Sequence, residues 1–150
     1  KASVKRLIEC EKDDLIKLVL DIEKYPEFVP FCFDAKVYEE KNQGDLIKII
    51  ADLTIGKGPF KDTYKSDVVL DKKKDTIFVK NIEGPLNHLS NNWTFTDKQN
   101  GITEIAFDID FEIKNKFLNS LMVVSFQFGL EKIADAFQKR AEELFGSSKN

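Results

Sequence analysis

Between residues 37 and 113 apolar and polar residues alternate in six runs, 37–40, 46–55, 60–70, 76–82, 89–96 and 103–113. A period of two is that of a strand with one face buried. The runs are separated by Asn42-Gln43-Gly44, Gly56-Lys57-Gly58, Asp71-Lys72-Lys73-Lys74-Asp75, Gly84-Pro85 and Lys98-Gln99-Asn100-Gly101, all rich in turn formers. None of these connections has room for a crossover helix, so the strands predict an antiparallel meander. Residues 2–9 read as a further strand at the start. Asp13 or Asp14 then opens a short helix through Leu15, Ile16, Leu18, Val19 and Ile22, which Tyr25-Pro26 stops. The segment that follows, Glu27-Phe28-Val29-Pro30-Phe31-Cys32, is an aromatic turn costly to expose and is expected to pack into the body.

At residue 117 the period changes. Phe126, Leu130, Ile133, Phe137, Ala141 and Leu144 recur at steps of three and four, while Glu131, Lys132, Asp135, Gln138, Lys139, Glu142 and Glu143 fall elsewhere. This is the pattern of an amphipathic helix over 117–145. At about 1.5 Å per residue it would reach roughly 43 Å, the width of a small domain. Gly146 and the polar residues after it end the periodicity. Phe117, Leu121, Val124 and Phe128 form a second apolar line nearly opposite the first. The helix is broken near Gly129, turning both lines inward, or it is buried on two sides by loops, or the second line is a contact surface for a ligand, a membrane or a partner. Together the elements predict an α+β fold: a bent antiparallel sheet wrapped around a long C-terminal helix, with short helical structure after the first strand. Such an arrangement leaves a cavity between sheet and helix. No linker or repeat interrupts the chain, and residues 1–150 are expected to form one domain.

Composition narrows the function. The formal net charge of −3 and pI near 5.3 lack the basic excess of a general nucleic-acid binder, so DNA is not an expected partner. Cys10 and Cys32 stand in no metal-ligand or Cys-x-x-Cys spacing and read as reduced, packing thiols of a cytosolic protein. The apolar run 118–130 is too short for a membrane span and is interrupted by Asn119, Ser120, Ser125 and Gln127.

Little in the chain supports catalysis. His88, the one histidine, lies on the strand phase opposite Leu89, Trp93 and Phe95 and reads as a surface residue before it reads as a general base. Asp108 and Asp110 share a polar phase that fits a solvated sheet face better than a cation site. Gly56-Lys57-Gly58 is a turn without the rest of a phosphate loop. No catalytic residue, metal ligand or cofactor is therefore assigned. The inward phase is more informative, because Phe60, Tyr64, Val68, Trp93, Phe95, Phe107 and Phe111 converge on the concavity, with Tyr64, Ser66 and Asn91 as its few polar groups. Phe28, Phe31, Leu121, Val124 and Phe128 complete the candidate ligand contacts. A greasy cavity with sparse polar groups suits a large apolar ligand. Lys72, Lys73 and Lys74 at a hairpin tip, with Lys57, Lys61 and Lys65, form a basic cluster that fits either anionic lipid or ribosomal RNA.

Three motifs carry a resemblance. Tyr25-Pro26-Glu27-Phe28-Val29-Pro30-Phe31-Cys32 resembles the Tyr-Pro-x-Phe-Leu-Pro-Trp-Cys segment of the coenzyme Q-binding START-like family, which includes the bacterial RatA proteins. Gly84-Pro85-Leu86, Leu89 and Trp93-Thr94-Phe95 resemble its Gly-Pro-Phe, Leu and Trp-x-Phe signature. Ala136-Phe137-Gln138-Lys139-Arg140-Ala141 with Phe145-Gly146 resembles its closing Ala-Phe-x-x-Arg-Ala and Tyr-Gly. Phe31, Leu86 and Phe145 depart from the commonest residue at their sites, changes that alter a pocket more than a fold. The resemblance implies the helix-grip fold of the polyketide cyclase and lipid-transfer superfamily. It implies a non-catalytic partner of ubiquinone or another isoprenoid lipid in quinone-dependent respiration, in the bacterial cytoplasm or peripheral at the inner membrane. It also implies a second reading, a RatA-type toxin of a toxin-antitoxin system that inhibits ribosome association by binding the large ribosomal subunit. A fold shared by both cannot choose between them.

Overall fold

The computed structural model describes residues 2–57, 59–83, 88–112 and 116–145, and of residues 57, 60, 83 and 116–126 the backbone alone. The chain runs β1 (Ala2–Ile8), α1 (Lys12–Leu20), a 3-10 turn (Ile22–Glu27), β2 (Cys32–Gln43), β3 (Leu46–Lys57), β4 (Phe60–Asp71), β5 (Thr76–Glu83), β6 (His88–Gln99), β7 (Ile102–Glu112) and α2 (Lys116–Phe145). The strands form a bent sheet in the order β1-β7-β6-β5-β4-β3-β2, with every neighbouring pair antiparallel. The meander predicted from the alternation is thus present, and β1 joins its last strand.

Differences from the expected elements have local causes. β2 is much longer than residues 37–40 because it is an edge strand whose side chains past Cys32 are exposed or only half-buried, so no burial alternation marks it. Helix α1 starts at Lys12, so Asp13 and Asp14 sit in its first turn, where the positive end of the peptide dipoles favours them. It stops at Leu20, where the Asp21 amide donates to both Lys17 and Leu18 carbonyls. Pro26 therefore lies inside the following 3-10 turn rather than ending the helix.

The two edges of the sheet are closed by different means. Along β1, the Gln127 side chain of α2 accepts from the Ser3 amide at 3.3 Å and donates to the Ser3 carbonyl at 3.0 Å. Gln138 donates to the Leu7 carbonyl at 3.2 Å, and Glu142 accepts from the Glu9 amide at 3.2 Å. Polar side chains of one helix thus stand in for the missing neighbour strand. Arg6 adds an ion pair to Asp135 at 3.0 Å. The β2 edge is instead interrupted by irregularities between Cys32 and Asp34 and between Val37 and Glu39, and the Val37 amide is taken by Glu23 at 2.8 Å. Bulges and charged residues are how exposed edges avoid pairing with other chains.

Helical structure in α2 runs through Gly129 without interruption, so of the alternatives for this segment the break near Gly129 is not the one the chain adopts. Its buried stripe is Leu130, Ala134, Phe137 and Ala141, with Ile133 half-buried. The alanines let the helix backbone approach the sheet closely, and Phe137 fills the space between them. Leu144, expected on that stripe, is 53% exposed, because Glu143, Leu144 and Phe145 are all exposed and the last turn has no cover. Phe128, the described member of the second apolar line, is 63% exposed with the Lys132 ammonium 4.8 Å from its ring. The side chains of Phe117, Leu121, Val124 and Phe126 lie outside the described residues, as does the Gly84-Pro85-Leu86 turn.

Candidate ligand-binding site

The inner face of the sheet has two unlike ends. At one, Trp93 stacks on Phe107 at 4.1 Å and 15°, runs parallel to Phe95 at 6.3 Å, and meets the edge of Phe137 at 5.1 Å. Phe137 also makes edge contacts with Tyr25 at 5.4 Å and Phe28 at 5.1 Å. Tyr25 is held by donating its hydroxyl to the Val19 carbonyl, and burial pushes its phenol upward. Arg140, one turn on from Phe137, lies 5.0 Å over the Phe28 ring and pairs with Glu27 at 2.8 Å. The Tyr-Pro-Glu-Phe turn and the Ala-Phe-x-x-Arg stretch, far apart in sequence, are therefore two halves of one cluster. It packs against Leu15, Leu18 and Val19 of α1 and against Ile8 and Ile105 to form the core.

Toward the other end the same inner phase is less well covered. Asn91 stands opposite Ile109 on β7 and Val79 on β5, and all three are half-buried, as is Leu89. The pair Leu53 and Tyr64 on β3 and β4 is half-buried too. Burial and Asp62 together push the Tyr64 phenol upward. Contacts along β1 say what lies above this end. Because Gln127 reaches Ser3, Gln138 reaches Leu7 and Glu142 reaches Glu9, α2 runs in the same direction as β1. Residues 116–126 then extend past the start of β1, toward the last residues of β7 and the first of β6. Asn91, Ala2, Ile109 and Gln127 border a hollow of about 460 Å³ that lies mostly against the outer phase of the sheet, where Ser3, Phe78, Ser90, Asn92, Asp108 and Asp110 line it. The Asn91 Oδ1 is buried and has no hydrogen-bond partner.

Of the residues expected at the site, Val68, Trp93, Phe95, Phe107 and Phe111 are buried, four of them in the packed core, and Tyr64 and Asn91 are half-buried toward the open end. Phe28 belongs to the aromatic cluster. Phe31, half-buried, has a left-handed backbone at φ 71°, and its ring faces α2 where a Cβ added to Gly129 would stand 3.7 Å away. Phe128 points to solvent, and the Phe60, Leu121 and Val124 side chains lie outside the described residues. Leu53, Val79, Leu89 and Ile109 also line this face, and a reading weighted toward aromatic residues misses them. The strand alternation alone is enough to find them, since they continue the inward phase.

The remaining candidates are on the surface. His88 is exposed, with its Nε2 3.3 Å from Asp110 Oδ2, and Asp108 faces outward as well. Among the described residues no group of three His, Cys, Asp or Glu side chains is placed to hold a metal ion. Lys72, Lys73 and Lys74 form the exposed β4–β5 turn, where Asp71 accepts from the Lys73 and Lys74 amides and Lys73 pairs with Asp45 at 3.4 Å. Lys61 sits apart from them, 4.1 Å over the ring of exposed Phe33, and Lys65 lies 5.3 Å from that of Tyr38. Cys10 and Cys32 are free and buried, and burial raises both thiols to about 11. Among the described residues no helix is long and apolar enough to cross a membrane.

Comparison with known proteins gives consistent results. The family described as polyketide cyclase / dehydrase and lipid transport matches residues 8–138. The ribosome association toxin RatA of Rickettsia prowazekii is 31% identical over 142 residues, covering 93% of this chain and 94% of that protein. The mitochondrial coenzyme Q-binding protein COQ10 of Dictyostelium discoideum is 32% identical over 140 residues, covering 91% of this chain and 66% of that protein. Among solved structures, a START superfamily protein from Mycobacterium smegmatis superposes with a TM-score of 0.82 at 18% identity, covering 95% of this chain and 97% of that one.

Proposed function

The chain belongs to the polyketide cyclase / dehydrase and lipid transport family, and from that premise we propose that it binds ubiquinone or a related isoprenoid lipid and serves quinone-dependent respiration as a non-catalytic carrier or chaperone. The observation that carries this reading is the contrast on the inner sheet face, where a sealed aromatic core gives way to apolar residues that are only half covered. Large apolar ligands occupy such spaces between sheet and helix. The name of the Dictyostelium relative supports the ligand class. His88, exposed and paired with Asp110, stands away from this face, in keeping with binding rather than catalysis. Native mass spectrometry and lipid extraction of protein purified without detergent test the proposal. Recovery of a quinone is the expected result, and an empty protein would overturn it.

A second reading is favoured by the name of the rickettsial relative, which matches along nearly its whole length, and by the exposed Lys72-Lys73-Lys74 turn. In that case the protein binds the large ribosomal subunit through phosphate contacts. Co-sedimentation with the subunit at low salt, abolished by charge reversal of Lys72, Lys73 and Lys74, is then expected.

A further inference from the structure

We infer that the outer face of β2, β3 and β4 is a docking surface for single-stranded RNA, on which Phe33 and Tyr38 stack bases while Lys36, Lys61 and Lys65 meet phosphates. The inference goes beyond both readings above. It leaves the inner face alone, and the ribosomal reading puts its contacts at Lys72, Lys73 and Lys74, at the far end of β4 from Lys61. Against β3, β2 carries one extra residue at each of its two irregularities, and these unpaired residues are Phe33 and Tyr38. An insertion of this kind re-aims a side chain. Both rings come out on the outer face, where they are 46% and 51% exposed. The Lys61 ammonium lies 4.1 Å from the centre of the Phe33 ring, and those of Lys36 and Lys65 lie 4.9 Å and 5.3 Å from that of Tyr38. Tyr38 is further fixed by donating its hydroxyl to Asp52 at 2.6 Å. A bulge that only guarded a sheet edge would be better served by a charged side chain than by an exposed ring.

Exposed rings on a sheet take the faces of unpaired bases, and ammonium groups beside them take the phosphates between. A lysine over an exposed ring is weakly held, so it gives the ring up to a base and turns to phosphate. Among the described residues neither Lys36 nor Lys61 has a carboxylate partner, which leaves their charge for an anion. A lipid surface fits this face less well. Asp34, Asp52, Thr54 and Thr63 lie among the rings on the same phase, and a bilayer would have to strip them of water. A nucleic-acid strand leaves them wet. The Thr54 and Thr63 hydroxyls, 2.9 Å apart, offer partners to the 2′-hydroxyls that RNA carries and DNA lacks. With Asp34 and Asp52 among three lysines the positive excess is small, so stacking contributes more than charge.

The test is fluorescence anisotropy of the full chain at low salt with a labelled oligouridine and with its deoxy counterpart, beside pelleting with phosphatidylglycerol vesicles. The wild type is expected to bind the RNA and to prefer it to the deoxy strand. Phe33→Leu and Tyr38→Leu should each weaken binding about tenfold, whereas Tyr38→Phe keeps it, because the ring makes the stack. Lys36→Gln combined with Lys61→Gln should weaken binding and flatten its dependence on salt. Asp34→Asn should strengthen it, and Lys17→Gln, on the exposed side of α1, should leave it unchanged. Both rings are exposed, so the variants should fold; if Tyr38→Leu does not, Phe33→Leu carries the same reading. No binding of the oligouridine, equal binding of the deoxy strand, or undiminished binding in the ring variants would overturn the inference. So would vesicle binding that needs the two rings while RNA is not bound. Loss of RNA binding on charge reversal of Lys72, Lys73 and Lys74, with no effect of the ring variants, would overturn it and leave the ribosomal reading standing.

Discussion

The packed and open ends of the inner sheet face are built from the same strands, in the same alternation, yet they are covered to different degrees. At the packed end each aromatic ring has a partner on another element, so Trp93, Phe107 and Phe137 are no more than 6% exposed. At the open end Leu89, Asn91, Ile109 and Val79 have the same strand neighbours but incomplete cover from above. The difference lies in the helix: the C-terminal half of α2 brings Phe137 and two alanines down onto the sheet. The packed end buries its side chains fully, whereas under the proposed function the half-covered end keeps space for a ligand at some cost in stability.

Phe137→Ala is the strongest way to break this comparison. It removes a ring that touches Tyr25, Phe28 and Trp93 and is 1% exposed, and should cost about 3–5 kcal/mol in urea unfolding. A loss below about 1 kcal/mol would mean that the packed end collapses around the gap and is not a rigid core. At the open end, Ile109→Ala removes a half-buried side chain beside the hollow. It should cost about 1–2 kcal/mol and change ubiquinone affinity severalfold. A cost matching that of Phe137→Ala would show the two ends to be equally packed. The smallest effect has the opposite sign. Gly129 lies where α2 passes from one end to the other, in helix throughout, with the nearest neighbour of an added Cβ at an ordinary 3.7 Å. Gly129→Ala should therefore raise stability by about 0.5–1 kcal/mol; a decrease would show that the junction must bend.

Much of the fold is legible in the sequence, and for a simple reason. β3 to β7 each have neighbours on both sides and a buried inner face, so alternation and turn residues locate them to within a residue or two in most cases. β2 reads too short because an edge strand with exposed or half-buried side chains along most of its length leaves no alternation to follow. The candidate site is legible in part. The inward phase picks out Tyr64, Asn91 and the aromatics, but periodicity reports only which face a side chain takes, not whether another element covers it. Trp93 and Asn91 share a phase, and only the placement of Phe137 distinguishes them.

The sequence by itself determined the element order, the antiparallel meander, the inward and outward phases and the family, because these follow from local periodicity and short motifs. Tertiary structure alone decided that β1 closes on β7, that the Tyr25–Phe28 turn and the Phe137–Arg140 stretch form one cluster, and that Gln127, Gln138 and Glu142 cap the β1 edge. It also decided that Phe128 faces outward and that the Asn91 oxygen has no partner. Each of these depends on residues tens of positions apart arriving at one place, a matter of how α2 lies along the sheet that no local pattern encodes.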